Sequence, residues 1–286
     1  CHTMIEPFIR HGLKVDFYPV VFENKSLHIR TINIKHDVTL VLDYFGFNGY
    51  APLNISDTIV IRDLTHSLLS ENLQQQKSDY CFASFRKWGA VAGAAVACKS
   101  ERKFRVGACL PATNEKYISL RKRAYALKSS YINGEITDKH FLELFNRAEE
   151  LLEKDYADYP ADNESIITAA TLMNHSKTRR ENAAVLLNNL SESRIVTPLF
   201  PKMRQGDVPL FVPVLVNGGR RDALKKYLIE NGVYCPTHWP LSDLHNIPSD
   251  AKGLYEQELS LICDQRYTAD DMKRIVSLIT EFENRE

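Results

Sequence analysis

Between Lys14 and Lys99 the apolar residues come in short, nearly unbroken runs, at 15–21, 39–42, 58–61, 80–83 and 94–97. A run apolar on both faces has to be covered on both, the condition of buried, mainly parallel strands. Polar stretches of roughly a dozen residues separate the runs, enough for the crossovers of an α/β sheet. The first dozen residues show no helix or strand start of their own, and Pro7 interrupts them. After Pro111 the period lengthens to that of helices. A basic helix is predicted over 115–129 and one or two more over 164–190. Between them, a helix over 138–155 sets Phe141, Leu144, Phe145, Ala148, Leu151 and Leu152 on one stripe. The last third reads as a strand over 208–216, a helix over 221–231 closed by Gly232, a strand over 259–263 and a helix over 269–283. Thr268 precedes that final helix with Asp271 three positions on, close to a capping box. The pattern divides the chain into a sheet-bearing large domain (1–125), a helical connection (126–196) and a small α+β C-terminal domain (197–286).

Composition narrows the function. The chain has 286 residues, 36 Lys and Arg against 36 Asp and Glu, so no net field attracts a nucleic acid or an anionic membrane. A 44% hydrophobic content with 12 Gly and 12 Pro excludes disordered, collagen-like and linker classes. The six cysteines are scattered, without a CxxC pair or metal spacing, the usage of a reducing compartment; a cytoplasmic location is expected. No run approaches the roughly 18 apolar residues of a membrane span.

Ligands of such sheets bind outside the carboxyl ends of the strands, so polar residues just after each run matter most. The run at 58–61 delivers Asp63 at its end and His66 three residues later; the next delivers Ser84 and Lys87. Parallel strands bring both sets to one edge, where Asp43 and Tyr44 end a third run. Phe85, Trp88 and the following Gly/Ala stretch enclose Lys87, and desolvation of an amine lowers its pKa and suits it to Schiff-base chemistry. An aspartate opposite could keep a pyridinium nitrogen protonated, and a serine could donate to a phosphate.

Strand, Asp63-x-x-His66, and then Lys87 of a Ser84-x-x-Lys87 placed 24 positions after the aspartate resemble the cofactor segment of fold-type I pyridoxal-phosphate enzymes. Among these the segment is most similar to the DegT/DnrJ-type sugar aminotransferases. Weaker likenesses extend over most of the chain. Residues 1–12 with Val15-Asp16-Phe17-Tyr18 look like the family's loop, helix and next strand. Arg179-Arg180-Glu181-Asn182 looks like its interdomain helix, and 210–214 with 232–240 look like its small domain. The resemblance implies the aspartate aminotransferase-like fold, pyridoxal 5'-phosphate as cofactor and Lys87 as the internal-aldimine lysine. It further implies Asp63 as partner of the ring nitrogen, His66 against the ring or its O3′, Ser84 as a phosphate ligand, and a homodimer. It implies an aminotransferase with a small-molecule amino donor and acceptor, such as a sugar nucleotide or amino sugar. The family's Gly-Ser/Thr phosphate turn would fall before Cys1, and Cys1 stands where an aromatic residue usually stacks on the ring, so the chain is expected to lack its natural N-terminal segment.

Each residue also has a plainer role. Asp63 could cap a turn, Lys87 could be a surface lysine and His66 a loop histidine. Arg266 suits a substrate carboxylate or phosphate, or an ion pair with Asp264 or Asp270. His238, on a stiff Pro236–Pro240 loop, could line the site or be an ordinary loop residue. The basic run 102–105 and the helix carrying Lys116, Arg121, Lys122 and Arg123 read as solvated faces. A lyase of the same cofactor, or a homologue that keeps the fold for binding or assembly, are the alternatives; no GxGxxG or Walker loop supports a nucleotide site.

Overall fold

The computed structural model describes residues 2–23, 26–29, 36–48, 57–71, 78–91, 95–99, 114–154, 167–168, 170–238 and 249–285. The chain opens with helix α1 (His2–Arg10), which contains Pro7. The sequence pattern shows no start there, because proline reads as a break; a helix this short loses only one main-chain bond to the missing N–H. Residues 13–19 are irregular, so the strand expected from Val15 begins only after Pro19. There β1 (Val20–Glu23) pairs antiparallel with β2 (Ser26–Ile29). Ahead of it, Phe17 stays 41% exposed and Tyr18 donates its hydroxyl to the Leu40 carbonyl, tying the segment to the sheet by a side chain.

The next runs pair in the predicted way. Strands β3 (Val38–Leu42), β4 (Ile59–Asp63) and β5 (Tyr80–Ser84) are parallel neighbours, and β6 (Ala95–Lys99) closes the sheet antiparallel to β5. Leu42 lies opposite Asp63, and Asp63 opposite Phe82, so β3 and β4 end level and β5 runs two residues further to Ser84. Two helices follow, α2 (Glu115–Ile132) and α3 (Phe141–Lys154). Asn114 caps α2 through the Tyr117 amide, and the pair packs through Tyr117, Ile118 and Ala148 and through Ala124, Phe141 and Leu144.

Helix α4 (Ser176–Leu190) leads into a three-stranded antiparallel sheet of β7 (Val196–Pro198), β8 (Phe211–Val216) and β9 (Glu258–Ile262). The remaining helices are α5 (Arg221–Glu230), α6 (Ser249–Gln257) and α7 (Ala269–Glu283). Helix α7 has the bounds read from the sequence, and Thr268 and Asp271 form the reciprocal capping box. Strand β8 starts three residues later than expected. The backbone of 208–210 is engaged elsewhere: Val208 N–H donates to Ser70 Oγ (3.0 Å) and Leu210 N–H to Phe45 O (2.9 Å). Gly46 makes this approach possible, since its φ is +80° and a Cβ there would lie 2.1 Å from the Val208 carbonyl oxygen.

These bonds join the C-terminal unit to the first sheet, and the core is continuous across the join. Leu27, Phe45 and Phe47 pack in one cluster with Leu186, Val212, Val214, Leu261, Met272 and Ile275. Phe47 stacks on Phe200 at 4.7 Å between ring centres. Burial pushes the thiols of Cys235 and Cys263 up to about 12, so both act as core packing rather than as nucleophiles. Among the described residues no helix is long and apolar enough to cross a membrane.

Candidate active site

The carboxyl ends of β3, β4 and β5 open into a cavity of about 790 Å³, lined by Asp43, Tyr44, Asp63, Thr65, His66, Ser84, Arg86, Lys87 and His238 among others. Asp63, Lys87, His66 and Ser84, which the sequence assigns to one edge, all reach it. Thr65, which sequence reasoning passed over, ties two strands together. Its amide donates to Asp63 Oδ1 (2.8 Å), its hydroxyl accepts the Ser84 N–H (3.1 Å), and its carbonyl accepts the Trp88 indole N–H (2.6 Å). Asp63 therefore does make the turn contact of its plainer role, and does so inside the cavity. Burial raises its pKa above the usual carboxylate range, with the Thr65 hydrogen bonds and the charge of Lys87 pulling the other way.

Lys87 ends a 3-10 turn (Phe85–Lys87) that begins where β5 stops. Trp88 fixes that turn from below. It is almost fully buried, Arg179 lies over its ring at 4.7 Å, and its carbonyl accepts Gln265 Nε2 at 2.9 Å. The lysine side chain stands open to the cavity and makes no hydrogen bond or ion pair among the described residues. Removal from bulk water lowers its pKa, Arg86 and Arg121 lower it further, and Glu149 and Asp63 oppose them. A primary amine facing a cavity beside a buried carboxylate is the group that condenses with an aldehyde.

One wall is aromatic. His66 sits edge-on to Tyr44 (5.7 Å) and to His238 (5.2 Å), with Phe45 at 5.5 Å from each histidine ring. His66 Nδ1 is buried and has no hydrogen-bond partner among the described residues. Desolvation, then the nearby His238 and Lys87, push the His66 pKa well below its ordinary value. His238 also lines the cavity, and burial lowers it to about 4.

The opposite wall is ionic. Glu149 of α3 accepts from Arg86 Nη1 (2.9 Å) and from Arg121 Nη2 (2.8 Å), and Tyr117 bonds both arginines. This corrects the reading of α2 as a solvated basic face. Lys116, Lys122 and Arg123 are exposed, but Arg121 is 8% exposed and lies one helical turn from buried Tyr117. The stripe Tyr117, Arg121, Tyr125 at fourfold spacing was the available signal. Asp43, also on the cavity edge, is held by Arg62 Nη1 at 2.6 and 2.7 Å to its two oxygens. Arg266 takes the ion-pair alternative: its fork grips Asp264 at 2.8 and 2.7 Å, and it does not line the cavity. The run 102–105 and Trp239 lie outside the described residues.

No protein-family model and no curated protein matches the chain. Solved structures do. A sugar aminotransferase from Micromonospora echinospora aligns over 98% of this chain and 78% of its own, with 13% identity and a TM-score of 0.61. Helicobacter pylori PseC, an aminotransferase of pseudoaminic acid biosynthesis, covers 98% and 76% at 13% identity and 0.62. The E. coli GDP-4-keto-6-deoxy-D-mannose-3-dehydratase, solved with bound hydrated PLP, covers 97% and 77% at 14% and 0.62. A DegT/DnrJ/EryC1/StrS aminotransferase from Brucella abortus covers 85% and 63% at 14% and 0.51. What these similarities share with the chain is its architecture, and that architecture, an α/β large unit closed by an antiparallel α+β unit, is the fold of the DegT/DnrJ-type aminotransferases.

Proposed function

We propose that this protein is a pyridoxal-phosphate-dependent enzyme that transfers an amino group between small molecules, with a sugar nucleotide or amino sugar as acceptor, and that it works as a homodimer. The observation that carries the reading is Lys87, without a hydrogen bond or ion pair among the described residues and with a lowered pKa, in one cavity with the buried carboxylate Asp63. The donor set fits the cofactor: an amine to bind an aldehyde, a carboxylate in a dry site to face a ring nitrogen, Ser84 to donate to a phosphate, and His66 with an unsatisfied buried nitrogen on the aromatic wall. Pyridoxal phosphate, when bound, supplies an electron sink for breaking bonds at the carbon that bears the amine.

The protein's own groups do the rest. Lys87 would hold the cofactor through Nζ and, when released from it, carry protons at that atom. Asp63 has to meet a cation to recover the desolvation cost of its charge, so it favours a protonated ring nitrogen. The rings of Tyr44, His66 and His238 line one wall, with Phe45 packed behind the histidines, and the turn contacts of Thr65 keep Asp63 and Ser84 in fixed register. The fold and the aligned aminotransferases support amino transfer, and the dehydratase among them marks elimination as the competing reaction.

Adding pyridoxal phosphate to the purified protein should produce an absorbance band near ~420 nm, the mark of a lysine-bound cofactor. Lys87→Ala should abolish it, and amino donors added singly should bleach it. Absence of any band in the wild-type protein sinks the proposal and favours a binding or assembly role.

A further inference from the structure

The cavity's second histidine is backed by a carboxyl group that the proposed reaction does not use. Glu258, at the start of β9, is fully buried, and Ser260, on the same face of the strand, donates its hydroxyl to Glu258 Oε1 at 2.6 Å. The Ser260 oxygen lies 2.7 Å from His238 Nδ1, and the backbone N–H of His238 donates to Glu258 Oε2 at 2.6 Å. The imidazole is thereby gripped at Nδ1, while Nε2 has no hydrogen-bond partner among the described residues although the side chain lines the cavity. A carboxyl, a hydroxyl and an imidazole in a row form an unbroken chain of exchangeable protons.

We propose that Glu258, Ser260 and His238 form a proton relay that sets which tautomer His238 presents to the cavity, and so lets a bound molecule exchange one proton with a carboxyl group outside it. With Glu258 ionised, Ser260 donates to Glu258 and accepts from Nδ1–H, and Nε2 offers a lone pair. With Glu258 protonated, its hydroxyl donates to Ser260, Ser260 donates to Nδ1, and Nε2 carries the hydrogen. In the exchange itself an N–H bond forms at Nε2 as the bound molecule gives up its proton. The Nδ1–H bond breaks toward Ser260 Oγ, and the Ser260 proton passes to Glu258. The bound molecule gains the negative charge that the carboxylate loses, and no other bond changes.

The surroundings suit such a relay. Burial raises Glu258 to about 7, with Arg221 and Lys225 of α5 the nearby cations that oppose the shift. The thiol of Cys235 senses the same carboxylate but is itself held protonated by burial. On the cavity side His238 is faced by the ring of His66 and by Lys87, and burial together with the charge of Lys87 disfavours an imidazolium there. The relay therefore moves a proton without leaving an imidazolium beside Lys87.

Nitrogen-15 NMR of the full chain labelled at histidine tests this without any cofactor, with His238→Gln assigning the signals. His238 should carry its hydrogen on Nε2 at low pH and on Nδ1 at high pH, crossing over near pH 7, the value set by Glu258. In Glu258→Gln the crossover should vanish; in Ser260→Ala the tautomer should no longer follow the pH. A wild-type His238 that keeps one tautomer from about pH 5 to 9, or a crossover that survives Glu258→Gln, overturns the relay. Either result leaves the cofactor reading intact, because that reading rests on Lys87 and its absorbance.

Discussion

Strands β4 and β8 are both largely buried, yet they put burial to different uses. Of the six residues of β8 all but Phe211 are buried, and all are apolar, enclosed between helices and the turn after β3. Strand β4 instead buries Arg62 and Asp63 at its carboxyl end, the first neutralised by Asp43, the second presented to the cavity. In the parallel sheet the connections all leave from one edge, so polar side chains gather there and the sheet accepts the cost of desolvating them. The antiparallel sheet sends its turns to both ends and buries two polar side chains, Glu258 and Ser260, bonded to each other. One sheet holds reactive groups in place and the other supplies packing, with the His238 relay as its one polar intrusion.

Lys87→Ala tests that division most sharply. It should reduce amino transfer by about 10²–10⁴-fold or more. Melting temperature should hardly move, because the side chain makes no hydrogen bond or ion pair among the described residues. Equal losses of both would mean that Lys87 is structural. Asp43→Ala breaks the buried ion pair with Arg62 and should cost about 3–5 kcal/mol in urea unfolding. Leu261→Ala in β9 removes a fully buried side chain from the apolar sheet and should cost about 2–5 kcal/mol. Its kinetic constants should stay close to wild type, whereas Asp43→Ala should disturb both stability and catalysis.

The Glu258 carboxyl contributes a pH slope of known sign. Its folded pKa, about 7, lies above the ordinary 4.5, so the native state binds the extra proton and this group's contribution falls as pH rises through that window. Glu258→Gln removes that fall, and stability between pH 4.5 and 7 should rise more steeply than in wild type, by roughly 3 kcal/mol over the window. A slope unchanged by the substitution would show that Glu258 titrates normally. The smallest effect belongs to Thr268→Ala, which deletes the cap of α7 and should cost about 1 kcal/mol with no change in cavity chemistry.

Much of this arrangement could be read from local chemistry. Asp63, Ser84 and Lys87 were legible because strand ends in a parallel sheet converge, and α7 because Thr268 and Asp271 mark its start unambiguously. Contacts made by distant segments were not. Glu149 and Arg121 come from helices whose charged residues look solvated until packing turns one of them inward. Strand β9 reads as apolar filler, and only the folded chain sets Ser260 against His238, 22 positions away. The late start of β8 has the same origin: residues 208–210 are as apolar as a strand, but their hydrogen bonds are taken by Phe45 and Ser70. Pro7 misleads in the opposite sense, since a helix of one or two turns tolerates a residue that would break a longer one.

Trp88 gives the molecule a built-in optical reporter. The chain contains two tryptophans, Trp88 and Trp239. The indole of Trp88 adjoins Lys87 in sequence, is sealed from water, and is fixed by Thr65 on one side and Arg179 on the other. Its emission should be blue-shifted, and a chromophore attached to the neighbouring amine should quench it by energy transfer. Trp239→Phe would leave Trp88 as the sole emitter, so that occupancy of the cavity and loosening of the C-terminal unit, which grips the same residue through Gln265, could be followed as two changes in one fluorescence spectrum.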